Sequence, residues 1–345
     1  MRSFFLLAMA LSVAAASAPV CAADAVGLRL LTVMAPERGQ SLDVRLWYPA
    51  AAGGTPVRLG DSKVFQGVPA QQDAPIAEGA FPIILVSHGG LRSAPNLTGW
   101  IASRLADLGF VVAVTRPPDL GDRGAEAAIP EIWLRPADLS ATLTALLDDP
   151  NLVGHLELEQ VGALGFLLGG TSALALVGAR LDADSYSRSC DEGGTGLDCA
   201  WFARSGIDLH AIDTAQLTRS NLDDRIEVAV AVDPELSDSF TAESLSSIAV
   251  PVEIINLGSP ETIRPGLDAA NLAGPIATAR YAIVPDASEF SAFSLCTPQA
   301  PEILLEDGED DTICRDGGGR PREEIHDELA QMIAEAFRRY LQTAP

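Results

Sequence analysis

A few short stretches of this chain combine residue types that can do chemistry with glycines that let a backbone come close to it. Ser87-His88-Gly89-Gly90 follows an apolar run, and its glycines would let backbone N–H groups approach a developing oxyanion. Gly165-Phe166-Leu167-Leu168-Gly169-Gly170 sits between an apolar run and a helical pattern. Gly258-Ser259-Pro260-Glu261 follows a further apolar run. The stretch from Asp286 to Cys296 carries Glu289 among small and aromatic residues. Histidine, the usual general base at neutral pH, occurs only four times, as His88, His155, His210 and His326. None of them stands between Tyr281 and Cys296.

Positioning such stretches takes rigid elements. Gly27–Ala35 and Leu42–Tyr48 read as strands, followed by a Gly/Ala/Pro-rich surface stretch over Ala50–Ala80. Pro82–Ser87, Phe110–Val114, Val161–Leu164, Ile226–Val232, Pro251–Asn256 and Tyr281–Val284 are apolar runs without alternation, which is the pattern of strands buried on both faces. Helical spacing falls over Leu97–Leu108, Asp138–Leu147, Thr171–Ala179, Leu267–Leu272 and Arg322–Leu341. Strand and helix thus alternate, which predicts an α/β chain with a doubly wound, mostly parallel sheet. Its chemistry should gather at the carboxyl ends of the strands. The polar, Gly-rich segment of about 181–225 breaks this rhythm and reads as an insertion over one end of the sheet. The expected organisation is a leader at 1–23 and one domain over 24–345.

Composition narrows the partners. With 23 basic against 47 acidic residues the net charge is −24, and Lys63 is the only lysine, so nucleic acid and anionic membrane surfaces are poor partners. Met1-Arg2, an apolar stretch over Phe4–Ala16 and small residues after it describe a secretory signal peptide, cut after Ala22 or Ala23. The apolar stretch is too short for a transmembrane anchor, and Ala18-Pro19-Val20 before Cys21 is a poor lipoprotein lead-in. Export to a bacterial periplasm or beyond is therefore expected, consistent with the arginine-over-lysine composition. Cleavage leaves Cys190, Cys199, Cys296 and Cys314, an even number that reads as disulfides with three possible pairings. Short loops favour Cys190–Cys199 and Cys296–Cys314. A zinc site lacks both the CxxC spacing and a nearby histidine pair.

Taken in order, several stretches give the chain a resemblance to the α/β-hydrolases, and within them to the dienelactone hydrolase-like branch that includes plasma-type platelet-activating factor acetylhydrolases. They are Leu46-Trp47-Tyr48-Pro49, Ser87-His88-Gly89, Leu105–Phe110, Arg135-Pro136-Ala137-Asp138-Leu139, Ala173–Leu176, Asp233-Pro234, the two late cysteines and Ile325-His326. The resemblance implies a serine ester hydrolase whose nucleophile elbow reads G-x-S-x-G-G, with an acid in G-x-x-D and a histidine after the last strand. In this sequence those positions are Leu167, Glu261 and Glu289. Leucine offers no nucleophilic atom, and a carboxylate is a weaker base than imidazole near neutrality. If Glu261 and Glu289 face each other, like-charge repulsion raises the pKa of one of them. The resemblance also implies an oxyanion hole from the backbone N–H of Leu168 and of Gly90 or Leu91.

Other candidates are weaker. Thr171 and Ser172 offer hydroxyls in a shifted frame, at the expense of the strand register. Asp233 ends a strand, where it shapes a turn or serves as an alternative orienting acid. The acidic run Glu306–Asp311 lacks calcium-loop spacing and reads as solvated, and Asn96-Leu97-Thr98 is a glycosylation sequon of little weight in a bacterial chain. The expectation is an exported α/β-hydrolase homologue, without metal or cofactor, that has lost serine-hydrolase activity and retains a pocket for a small ester- or lipid-like ligand. The competing expectation is an active ester or lactone hydrolase with a non-standard catalytic set.

Overall fold

The computed structural model describes residues 25–91, 97–116 and 124–341. The expected leader over 1–23, Cys21 and Asn96 lie outside these residues. Ten strands form one sheet: β1 (Ala25–Ala35), β2 (Gln40–Ala50), β3 (Thr55–Leu59), β4 (Val68–Gln72), β5 (Phe81–Ser87), β6 (Val111–Arg116), β7 (Leu156–Phe166), β8 (Val228–Val232), β9 (Val252–Leu257) and β10 (Ala279–Val284). Their order across the sheet is β10-β9-β8-β7-β5-β6-β2-β1-β4-β3. From β6 to β10 every pairing is parallel, while β1–β2, β2–β6 and β3–β4 are antiparallel. Every residue of β5, β8 and β9 is buried, as unalternating apolar runs require of a sheet covered on both faces.

The first helices are α1 (Gly99–Asp107), α2 (Gly124–Ala128), α3 (Glu131–Asp148) and α4 (Leu168–Leu176). They are followed by α5 (Ala183–Ser187), α6 (Cys199–Arg204), α7 (Ala242–Ser246), α8 (Ala300–Glu306) and α9 (Arg322–Leu341). Trp100, Ile101 and Leu105 of α1 share one apolar cluster with Ile325, Leu329, Ile333 and Phe337 of α9 and with Ile84, Val112 and Val230 of the sheet. Leu139, Leu143 and Leu146 of α3 and Leu174 of α4 pack with Ile83, Val161 and Ile254 on the other side. Two helix layers therefore enclose the sheet, and the doubly wound architecture read from the sequence holds. Among the described residues no helix is long and apolar enough to cross a membrane.

The differences have local causes. The stretch over Ala50–Ala80 contains the β3–β4 hairpin, whose short strands carry Pro56 and Pro69 and little alternation. Helix α3 begins at Glu131 rather than Asp138, running through Pro136. Leu267–Leu272 is not a helix: two 3₁₀ turns, Pro265–Leu267 and Ala270–Leu272, stand there, because Asn256 holds the backbone of Leu267 and Ala269 from below. The segment 181–225 adds no strand; its short helices α5 and α6 pack with α2 through Tyr186, Phe202 and Ala125. Disulfides join Cys190 to Cys199 and Cys296 to Cys314, the two short-loop pairings.

Candidate functional site

The turn after β7 is a tight strand-to-helix turn, with the elbow backbone that the sequence frame predicts. Leu167 has φ 55° and ψ −124°, a conformation rare for a bulky residue, and α4 starts immediately after it. Its N–H donates to Val232 O at 3.0 Å, and its carbonyl accepts from Gly170 at 2.8 Å. A Cβ on Gly165 would meet the Gly169 carbonyl at 1.8 Å, and one on Gly169 would meet Ser87 O at 2.3 Å. The glycines are thus dictated by the tightness of the turn, whatever side chain it displays. What it displays is a buried leucine, continuous with the apolar cluster of Leu97, Trp100, Ala292 and Phe293. Leu168 is the first residue of α4 and buried; Gly90 and Leu91 follow β5 on the strand beside it.

The hydroxyls of the shifted frame point elsewhere. Thr171 Oγ1 donates to the Glu235 carbonyl and Ser172 Oγ to the Leu168 carbonyl at 2.9 Å. Both are buried and both are committed to the backbone, so neither faces a reacting group.

Glu261 is not at the elbow. Gly258, at φ 125°, and the Ser259–Thr262 hydroxyl turn send it into solvent, where the Ser259 hydroxyl holds its carboxyl below the usual range. An acid that does lie beside the elbow is Asp233, at the carboxyl end of β8, with φ 45° and only 2% exposure. Its Oδ1 accepts from Asn256 Nδ2 at 2.7 Å and from the Leu257 N–H at 2.9 Å. Asn256 is itself oriented, because its Oδ1 accepts from the Ala269 N–H and the Tyr281 hydroxyl. Asp233 Oδ2 is buried without a hydrogen-bond partner among the described residues. Burial pushes this carboxyl up to about 7 against the two donors, with the charge of Glu289 adding to the rise. The like-charge neighbour of Glu289 is therefore Asp233 and not Glu261. Two residues on, the buried Glu235 donates its N–H to Leu167 O at 3.2 Å, and its Oε1 would lie 2.7 Å from a Cβ on Gly90. Acids directly after the five-residue Val/Ala strand β8 are the signal that marks both positions.

Glu289 opens a 3₁₀ turn, Glu289–Ala292, and stands half-buried with Oε1 accepting from Arg264 Nη1 at 3.1 Å. This turn is held from behind. His326 Nε2 lies 2.9 Å from Ser291 O and 3.0 Å from Phe293 O, which fixes it as the N–H donor. Trp100 stacks on the His326 ring at 3.6 Å and donates its indole N–H to Ala292 O. Burial lowers His326 to about 3, so it is a neutral structural donor. His88 is likewise buried and pushed well down by burial and by Arg135, and His210 is on the surface, raised by its pairing with Asp191. No cluster of three or more metal-ligating side chains occurs among the described residues.

No family model and no curated protein sequence matches this chain. Among solved structures, a ferulic acid esterase from Streptomyces cinnamoneus superposes with a TM-score of 0.61 at 18% identity, over 95% of this chain and 93% of that one. Dienelactone hydrolase from Anabaena variabilis superposes at 0.48 and 15% identity over 91% and 98%, a likeness too loose to add weight. The fold is that of the α/β-hydrolases.

Proposed function

We propose that this chain is an exported α/β-hydrolase homologue of the dienelactone hydrolase-like branch that has lost serine-hydrolase chemistry and serves to bind a small ester- or lipid-like ligand. The single observation that carries this reading is Leu167, a buried alkyl side chain at the apex of an intact elbow. Acyl transfer needs an oxygen or sulfur nucleophile at that apex, and the two hydroxyls of the shifted frame are bonded to backbone carbonyls. Glu289 at the base position is tied to Arg264, and the elbow keeps the N–H of Leu168 at a helix N-terminus, where a carbonyl oxygen would be favoured. The two disulfides support export, the compartment in which such bonds persist.

One observation favours a second reading. Asp233, raised to about 7 by burial, lies within electrostatic reach of Glu289, so a buried carboxyl able to hold a proton near neutrality stands beside a second carboxylate. Such a pair is the usual apparatus for acid–base catalysis with water as nucleophile. Steady-state hydrolysis of short-chain p-nitrophenyl esters decides between them. The binding reading expects no rate above a heat-treated control, and equal traces from Ser172→Ala and Glu289→Gln variants. A turnover that Glu289→Gln abolishes would establish the second reading instead.

A further inference from the structure

Arg135, in the second turn of α3, is buried, and its guanidinium is directed at one strip of backbone. Its Nη1 donates to the carbonyls of His88 at 3.0 Å and Gly89 at 2.6 Å, and its Nη2 to that of Gly90 at 3.2 Å. On the other side its Nε reaches Glu131 Oε2 at 3.4 Å. Glu131 is shared: Arg38, at the turn between β1 and β2, donates Nη1 and Nη2 to its two oxygens at 2.6 and 2.8 Å. Arg38 also gives its Nε to both oxygens of Asp138, at 2.9 and 2.7 Å. The side chains of Arg38, Glu131, Asp138 and Arg135 are all buried, at most 5% exposed. Glu235, beside Gly90, adds a further attraction for Arg135.

A buried ion cluster of this kind contributes little net stability, since desolvation offsets most of the attraction. What it fixes is geometry. In a trans peptide the C=O of one residue and the N–H of the next point in opposite directions. Three consecutive carbonyls drawn to one fork therefore turn the N–H groups of Gly89, Gly90 and Leu91 away from it. We infer that Arg135 is the positioning residue of the 88–91 loop, anchored through Glu131 to Arg38 and holding the peptide planes so that the Gly90 and Leu91 N–H groups keep one fixed direction. The use of those N–H groups for a ligand carbonyl rests on the function proposed above; the orientation itself does not.

The loop's order can be read without a ligand, by backbone hydrogen exchange on the whole chain. Hydrogen bonds from a charged donor are strong enough that losing the fork should speed exchange over 88–91 by about tenfold or more in Arg135→Lys, which keeps the charge but cannot reach three carbonyls. Exchange in α9 and β7 should change far less. In Arg135→Ala, millimolar guanidinium should slow the loop again and ammonium should not, a rescue opposite in sign to guanidinium's denaturing effect. The inference is overturned if Arg135→Lys leaves the 88–91 rates unchanged, or if α9 and the loop accelerate equally. It is also overturned if a folded Arg135→Ala responds to both ions alike. Should Arg135→Ala not fold, the lysine variant decides alone. Failure of ester or lipid binding would leave these rates untouched, so the two claims fail separately.

Discussion

Leu167 occupies a backbone conformation that costs a bulky residue on the order of 1–3 kcal/mol, and the surrounding turn imposes it regardless. That a leucine stands at the apex of this turn was legible from one letter, because glycines at 165, 169 and 170 frame it. Which acids lie beside that turn was not. Glu261 has the right spacing, but the Ser259–Thr262 hydrogen bonds that turn it outward cannot be read from spacing. Asp233 is placed by β8, and its environment makes a prediction. Its folded-state value near 7 lies above the ordinary 3.8, so the folded protein holds a proton that the unfolded chain has released. That contribution to stability is complete below the ordinary value and is lost as pH rises through about 7. Asp233→Asn, which resembles the protonated form, should therefore gain on the parent by on the order of 2 kcal/mol at pH 8 relative to pH 5. Urea denaturation at both pH values measures the difference, and an unchanged gap would show that Asp233 is ionised throughout. Asp138, raised to about 6, contributes the same trend to both proteins and cancels in the comparison.

The elements best read from sequence were those with the strongest periodicity. Helix α9 was placed over Arg322–Leu341 because charged residues cover one face and Ile325, Leu329, Ile333 and Phe337 the other. Strands β5, β8 and β9 were visible as apolar runs, with ends displaced by one or two residues. Helical spacing marks α3 only from Asp138, where Leu139, Leu143 and Leu146 set its apolar face; the first two turns, which bury the polar Glu131 and Arg135 and pass through Pro136, carry no such pattern. The turn bearing Glu289 was legible only as a sequence frame, because what holds it comes from distant elements, Trp100 in α1 and His326 in α9. The Cys296–Cys314 bridge closes the segment after that turn over an 18-residue separation. Replacing both cysteines with serine should cost about 3 kcal/mol through the loop entropy restored to the unfolded chain. A urea midpoint equal to the parent's would contradict this.

At the scale of the molecule, the doubly wound sheet was legible because parallel strands must be apolar throughout, and this composition supplies such runs in alternation with helices. The antiparallel β3–β4 hairpin at the sheet edge was not, since short edge strands need little hydrophobicity and carry prolines. The net charge of −24 acts on the whole molecule: self-repulsion opposes compaction, so the thermal midpoint should rise between about 10 mM and about 200 mM salt as screening sets in. A falling midpoint would mean that surface ion pairs outweigh the repulsion. The scarcity of histidine, by contrast, has a local meaning, for the turn after β10 carries Glu289 and no histidine stands between Tyr281 and Cys296. Intact-mass measurement after fluorophosphonate treatment tests the loss of serine chemistry most directly, on the parent chain beside Leu167→Ser, Glu289→His and the double variant. The parent and both single variants should stay unmodified, and the double variant should gain one adduct, with Asp233 in reach to orient the new histidine. A stoichiometric adduct on the parent would contradict the account.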